Sequence, residues 1–599
     1  MTMQEIRSPM AAAVVEFAVT AGQAVRRGEL LAVVEAMKME HELRAPQDAR
    51  VLALLAAPGE LVGEGETLLR LGAADAVEAA AAPADTTVSA PALRADLQEF
   101  LDRQALLHDD ARPDAVTRRH AAGLRTAREN IADLCDPGSF TEYGGFAYAA
   151  QTARRSVDEL IRQTPADGIV TGIGTVGGQR CAVLAYDATV LAGTQGLRNH
   201  QKTDRLLGLA LEQKLPVILF AEGGGGRPGD TDMPIVAGLH VPTFARFASL
   251  SGQVPLIGIA AGRCFAGNAA LLGCCDLIVA TRGSNIGMGG PAMVEGGGLG
   301  RFAPEDIGPA SVQSANGVID LLVVDEAAAV AAAKRLLAML RGQRIGGEAP
   351  DAAALREVLP AQRTRSHDMR RVIDGLVDVG SAIELRAAFG IGIHTVLARL
   401  GGRAVGVLAS NPLHLGGAID ADAADKAARF MRLCDLHGVP MVSLIDTPGF
   451  MVGPDIEARA QVRHVSRMFV AAAQLRVPFL AVVIRKAYGL GAMAMAAGGF
   501  HAPLATAAWP SGEFGAMGLE GAVRLGYRKE LEALPEGEVR EARFRELLER
   551  QVAEGRALNM AATLEIDTVM DPAGTREWIT RLLDAGELRE RRQPGLDPW

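Results

Sequence analysis

Aromatic residues are scarce in this 599-residue chain: Phe, Trp and Tyr together make up 4%. That leaves little from which to build the stacking platforms that hold single-stranded nucleic acid. Basic clusters are missing as well, and a formal net charge of −10 opposes a polyanionic partner. The six cysteines (Cys135, Cys181, Cys264, Cys274, Cys275, Cys434) form no CxxC pair and no disulfide-like spacing. They read as small buried residues of a reducing compartment, with no metal site implied. No long uninterrupted apolar run occurs, and the N-terminus lacks a basic-then-apolar leader. The expectation is a cytoplasmic, soluble chain with neither a membrane segment nor a nucleic-acid partner. Nucleophile motifs are absent too: there is no G-x-S-x-G, and Cys264 has no evident base. Glu222-Gly223-Gly224-Gly225-Gly226-Arg227 lacks the Gly-Lys-Ser/Thr ending of a phosphate loop. Chemistry here must lean on backbone groups.

What the chain does have is glycine (68 residues) and apolar side chains (49%), over a length that predicts roughly three to four domains. Near the start, Gly22-Gln23-Ala24-Val25-Arg26-Arg27-Gly28-Glu29-Leu30-Leu31 is answered by Gly59-Glu60-Leu61-Val62-Gly63-Glu64-Gly65-Glu66-Thr67-Leu68. Paired glycines before short apolar runs mark tight turns with positive φ, so residues 1–72 are expected to form a small two-fold β-sandwich. Pro9-Met10-Ala11-Ala12 and Ala45-Pro46 add a turn signal to each half. Between them, Glu35-Ala36-Met37-Lys38-Met39-Glu40 closes the run Leu30–Val34 and places Lys38 at a hairpin tip. Those six residues alone are compatible with an ordinary surface turn. With its flanks, the segment resembles biotinyl carrier domains, and methionines on both sides of the lysine favour biotin over lipoate. The resemblance implies that biotin is amide-linked to Lys38 by a biotin protein ligase. Residues 73–92, rich in Ala and Pro, should form a semi-extended swinging arm.

Beyond the arm, Thr117 to Leu134 reads as one charged amphipathic helix, followed by a turn at Asp136-Pro137-Gly138. Buried strands then alternate with helices, which predicts parallel sheets covered by helices. This region repeats itself at a constant offset of 224: Leu184 with Leu408, Gly193 with Gly417, Lys202 with Lys426, Pro216 with Pro440, and Gly225 with Gly449. Two copies of one α/β unit follow, bounded at 93–345 and 346–599. Each copy has a small-residue turn between a buried strand and a helix, Ala260 to Ala270 in the first and Arg485 to Met493 in the second. Such a turn leaves backbone N–H groups unpaired at the positive helix end, where they can hold a developing oxyanion. Close helix–sheet packing is the alternative reading of small residues at either place. Lys202 and Lys426 read as solvated helix lysines, or else as contacts for the phosphates of a ligand.

Asp136-Pro137-Gly138-Ser139-Phe140, Pro165-Ala166-Asp167-Gly168, Asp425-Lys426-Ala427-Ala428-Arg429-Phe430, Thr447-Pro448-Gly449-Phe450, Arg485-Lys486-Ala487-Tyr488-Gly489 and Gly518-Leu519-Glu520-Gly521-Ala522 occur in an order that resembles the carboxyltransferase β subunit of acyl-CoA carboxylases. The resemblance implies two crotonase-like domains, the first serving acyl-CoA and the second biotin. It implies that N–H groups of Gly267 and Asn268 stabilise the enolate of the thioester, and those of Leu490 and Gly491 the ureido oxygen of carboxybiotin. It further implies a homo-hexameric core. Two departures stand out. Gly267-Asn268 replaces the family's two glycines, and Leu490-Gly491 replaces its Gly-Ala. Met493 falls near the position that sets acyl-chain length, and the offset leaves open whether Gly267 pairs with Leu490 or Gly491. No ATP-grasp-sized region is present, so a separate biotin carboxylase is expected. A decarboxylase component and a biotin-carrying scaffold are the two other readings.

Overall fold

The computed structural model describes residues 3–73, 93–232 and 238–587, so the expected arm, apart from Ala73, lies outside the described residues. The chain divides into two units, Met1–Ala95 and Asp96–Trp599.

In the first unit two four-stranded sheets face each other. One runs in spatial order Gln4–Arg7, Thr67–Ala73, Ala49–Leu54, Ala24–Val25, the other Met39–Arg44, Leu30–Ala36, Ala12–Phe17, Leu61–Val62. The repeat read in the sequence is a repeat of hydrogen bonds. Gly22 N–H donates to Val51 O and Gly59 N–H to Val14 O, both at 2.7 Å; Gly28 N–H donates to Ala45 O (2.7 Å) and Gly65 N–H to Ser8 O (2.8 Å). All four glycines have positive φ, from 79° to 90°, which side chains disfavour. Leu31, Val51, Leu69 and Leu71 fill the core of one half, and Val14, Val34 and Leu68 that of the other.

The second unit begins with a correction. Thr117 to Leu134 is not one helix but two, Pro113–Ala121 and Ala127–Leu134. Thr126 explains the break: its side chain accepts from Glu129 N–H while Glu129 reaches back to the Thr126 N–H, a capping box that starts a new helix.

A seven-stranded sheet follows, in spatial order Leu321–Val323, Leu277–Thr281, Leu256–Ala260, Val217–Phe220, Gln179–Tyr186, Ile169–Val176, Thr141–Tyr143. The second copy has Ile383–Leu385, Ile393–Leu400, Arg403–Ser410, Met441–Thr447, Phe479–Tyr488, Ala505–Ala508 and Thr568–Val569, with Glu513–Gly515 paired to the far end of Phe479–Tyr488. Strands are apolar on both faces because both are covered. Val183 and Ala185 face a core that also holds Leu397, Leu408 and Ile445 of the second sheet, while Ala182 and Leu184 face helix Leu197–Gln213. The two sheets therefore share one core, joined by Ala329, Ala333 and Leu336 of helix Glu326–Leu340. The ion pair Arg386–Asp320 (2.7 Å) and the hydrogen bond between His437 and Asp276 (3.1 Å) bind the copies at its edge.

Two further expectations change. Cys274 is exposed, whereas the other five cysteines are buried. Lys202 and Lys426 are neither solvated nor free for a phosphate. Lys202 Nζ donates to Ala166 O (2.8 Å) and Ile169 O (2.6 Å), holding a tight turn, and Lys426, 1% exposed, has no hydrogen-bond partner among the described residues.

The offset also slips. It is 224 across the paired strands Ile169–Val176/Ile393–Leu400 and Gln179–Tyr186/Arg403–Ser410. Gly223 then bridges Cys264 where Thr447 pairs with Ala487, so it has dropped to 223. Ala266 (φ 50°) and Gly489 (φ 58°) share a positive φ at that new offset. Gly267 is thus the counterpart of Leu490, and Asn268 of Gly491.

Candidate active site

Lys38 sits in a two-residue hairpin loop between the paired residues Ala36 and Met39. Met37 (φ 51°) and Lys38 (φ 64°) both have positive φ, the geometry of a type I′ turn that matches strand twist. Met37 is 97% exposed, and Lys38 is exposed with no hydrogen bond among the described residues. An amine so presented suits amide linkage to a carboxylated cofactor.

In the first copy, strand Leu256–Ala260 leads through Arg263–Phe265 into helix Gly267–Gly273. The helix's first outward bond is Ala270 N–H to Ala266 O. The N–H groups of Gly267 and Asn268 have no partner among the described residues, as helix starts dictate. Space above Gly267 is tight: a Cβ there would lie 3.3 Å from the Phe244 ring and collide with Gln195 Oε1. The loop Glu222–Gly226 lies alongside, and a cavity of ≈ 710 Å³ opens between Gly224, Gly262, Arg263 and Phe265. Glu222 also lines it, but both of its oxygens accept from Arg119 (2.7 and 2.5 Å), so it is tied down rather than poised as a base.

In the second copy, strand Phe479–Tyr488 runs directly into helix Gly489–Met495. Leu490 and Gly491 N–H groups again have no partner among the described residues. Leu490 is 61% exposed, while Gly491 is buried so closely that a Cβ would lie 2.6 Å from Gly449 C and 2.9 Å from Phe450 N. A cavity of ≈ 480 Å³ adjoins this turn, walled by Leu490, Met493, Phe500, Phe514 and Met560, with Glu565 the one charged group.

The supports beneath this turn went unread in the sequence. Buried Asp446 accepts from Arg485 (3.0 Å) and from Lys486 N–H (3.1 Å), and Lys486 Nζ donates to Gly416 O (2.6 Å). Arg485 and Lys486 therefore fix the strand. His367, 3.6 Å from Asp446, is buried with neither ring nitrogen hydrogen-bonded among the described residues, and burial holds its pKa down at about 4. Tyr488 OH donates to Glu513 (3.0 Å), itself paired with Arg363 (3.0 Å). One signal was available: Asp446 stands 224 residues after Glu222, so each copy sets a carboxylate at the same strand end. His464 pairs with Asp425 (2.8 Å). Among the described residues no group of three His, Cys, Asp or Glu side chains could hold a metal ion, and no helix is long and apolar enough to cross a membrane.

Residues 118–595 match the carboxyl transferase domain family, and residues 4–71 match the domain described as biotin-requiring enzyme. The chain belongs to the carboxyl transferase family. It is 31% identical over 514 residues to the methylmalonyl-CoA carboxyltransferase 12S subunit of Propionibacterium freudenreichii subsp. shermanii, covering 84% of this chain and 97% of that one. A crystal structure of transcarboxylase 12S, described as a hexamer assembly, aligns with a TM-score of 0.75 at 30% identity, over 85% of this chain and 99% of that one. A single-chain, multi-domain long-chain acyl-CoA carboxylase aligns with a TM-score of 0.79 at 52% identity, over 97% of this chain. The chain spans 56% of the length of that carboxylase. The carboxyltransferase is thus a crotonase-like enzyme whose cofactor is biotin, with the carrier domain on the same chain.

Proposed function

We propose that this carboxyltransferase moves a carboxyl group from biotin on Lys38 to the α-carbon of an acyl-CoA. The observation that carries this reading is the presence of two equivalent turns with unpartnered N–H groups on a chain that also bears an exposed tip lysine. Biotin, once bound, supplies a ureido nitrogen that can carry the carboxyl group and, relieved of it, accept a proton. The chain's own residues do the rest. Gly267 and Asn268 N–H groups hold the thioester oxygen as negative charge develops on it, each donor lowering the barrier by roughly 3–4 kcal/mol. Leu490 and Gly491 offer the same to the ureido oxygen. Glu222 is held by Arg119, and Asp446 by Arg485 and Lys486, so the nearby carboxylates serve as supports.

The first copy takes the acyl-CoA side and the second the biotin side. In the homo-hexamer each site lies between one subunit's first copy and another's second, so the apolar walls of Leu490, Met493, Phe500, Phe514 and Met560 meet the acyl chain and favour one of several carbons, with about fourfold in affinity per buried CH₂. A separate biotin carboxylase charges the biotin, a biotin protein ligase attaches it, and the core is a homo-hexamer.

Mass spectrometry of the purified chain should find the added mass of biotin on Lys38 and nowhere on a Lys38→Arg variant. Mixed with biotin carboxylase, ATP and bicarbonate, the chain should carboxylate acyl-CoAs with an efficiency that rises with chain length. An unmodified Lys38 in cells with active ligase would sink the proposal, and so would an inert acyl-CoA panel.

A further inference from the structure

Asn268 is fully buried, and its amide is used at both ends. Its Oδ1 accepts from Gly225 N–H (2.9 Å); its Nδ2 donates to Glu222 O (3.0 Å) and Gly193 O (3.3 Å). The side chain thereby joins the first turn to the loop Glu222–Gly226 and to the turn at Gly193. In the second copy the N–H equivalent to that of Gly225 belongs to Gly449, and it donates to Thr447 Oγ1 (3.1 Å). The residues at the two partner positions are exchanged between the copies. Where the second copy has Thr447, the first has Gly223, whose φ of 139° excludes threonine and whose Cβ would collide with Gly193 O. Where the first has Asn268, the second has Gly491, with Gly449 packed directly on it. One buried N–H is satisfied in both, from opposite sides.

We propose that the Asn268 side chain is the positioning residue of the acyl-CoA turn, tying it to the loop Glu222–Gly226 so that the N–H groups of Gly267 and Asn268 face one oxygen, and that Thr447 holds the biotin turn through Gly449, which packs on Gly491. This rests on the proposed function above. The amide is needed as both donor and acceptor, because a carboxylate in its place would still accept from Gly225 but would face the carbonyl oxygens of Glu222 and Gly193. Misplacing a donor by about 1 Å costs about 10²-fold in rate.

The test is decarboxylation of malonyl-CoA by the full chain with free biotin, alongside thermal melting, for wild type, Asn268→Asp, Asn268→Ala and Thr447→Val. Asn268→Asp should turn over when its buried carboxyl is protonated and lose about 10²-fold as pH rises and it ionises, with its melting midpoint falling away from wild type over the same interval. Asn268→Ala should lose kcat at all pH values with little change in KM for free biotin, whereas Thr447→Val should raise KM for free biotin. If Asn268→Asp follows the wild-type pH profile in both rate and melting, the positioning role is wrong. An Asn268→Ala variant with unchanged kcat is equally fatal to it. Should wild type itself be inert with malonyl-CoA and free biotin, the functional reading fails and the inference falls with it.

Discussion

Two lysines at equivalent places, Lys202 and Lys426, show how a single residue's meaning depends on what surrounds its last atom. Burial pulls both down to a pKa of about 8, but Lys202 donates to two carbonyls whereas Lys426 has no hydrogen-bond partner among the described residues. An unpartnered buried ammonium is a cost to the fold. Below pH 8 both folded and unfolded chains hold the proton on Lys426 and the cost is complete. Between about 8 and the ordinary lysine value the unfolded chain holds more protons, so stability rises with pH. Replacing Lys426 with Met should therefore stabilise the chain at pH 7 by about 1–3 kcal/mol, seen as a higher urea midpoint, with the gain shrinking at pH 10. The same change at Lys202 should lower the midpoint, since two carbonyls lose their donor. A Lys426→Met variant less stable than wild type at pH 7 would contradict this account.

At the scale of elements, both turns are strand-to-helix junctions with a positive φ where the helix opens. The second copy uses Gly489 for it (φ 58°), whereas the first uses Ala266 (φ 50°, ψ −121°), a conformation that suits glycine and costs other residues of order 1–3 kcal/mol. The strain is held in place by the Ala266 N–H bond to Gly287 O (3.0 Å) and by the close approach of Gly225. Ala266→Gly should raise the denaturation midpoint by the equivalent of about 1 kcal/mol, because relieved strain exceeds the unfolded-state entropy that glycine adds. Lowering of the midpoint would show that the alanine methyl matters more as packing than as strain. The Met37-Lys38 hairpin carries the same kind of non-glycine positive φ, again at a working position.

For the molecule as a whole, the division between carrier and transferase has a consequence that can be measured. Residues 96–599 contain both sheets, their shared core and both turns, while residues 1–95 have hydrophobic clusters of their own. A chain of residues 96–599 alone should decarboxylate malonyl-CoA with free biotin at a rate close to that of the full chain, yet give no carboxylation when biotin carboxylase, ATP and bicarbonate are supplied without free biotin. Loss of the free-biotin reaction on truncation would mean that the carrier domain helps build the transferase fold.

Much of this was legible from the amino acids because it is written in periodic or repeated patterns. Glycines that recur six residues apart demanded turns, and the four turns formed with matching hydrogen bonds. Apolar runs separated by helical stretches gave covered sheets that are parallel except at one edge, where Ile169–Val176 and Ile393–Leu400 pair antiparallel with both neighbours, and landmarks 224 apart gave two copies of them. The four turn residues and Lys38 are what the family resemblances imply; the amino acids themselves supply the order strand, turn, helix that leaves N–H groups free at both turns. What the linear order could not carry is distance between segments. The slip from 224 to 223, which pairs Asn268 with Gly491, follows from strand register across the sheet. The burial of Lys426, the grip of Asp446 on Arg485 and Lys486, and the exchange of Gly223/Asn268 for Thr447/Gly491 all depend on which side chains tertiary packing brings within about 3 Å of one another. Local chemistry decided where donors are free, and only the packed fold decided what aims them.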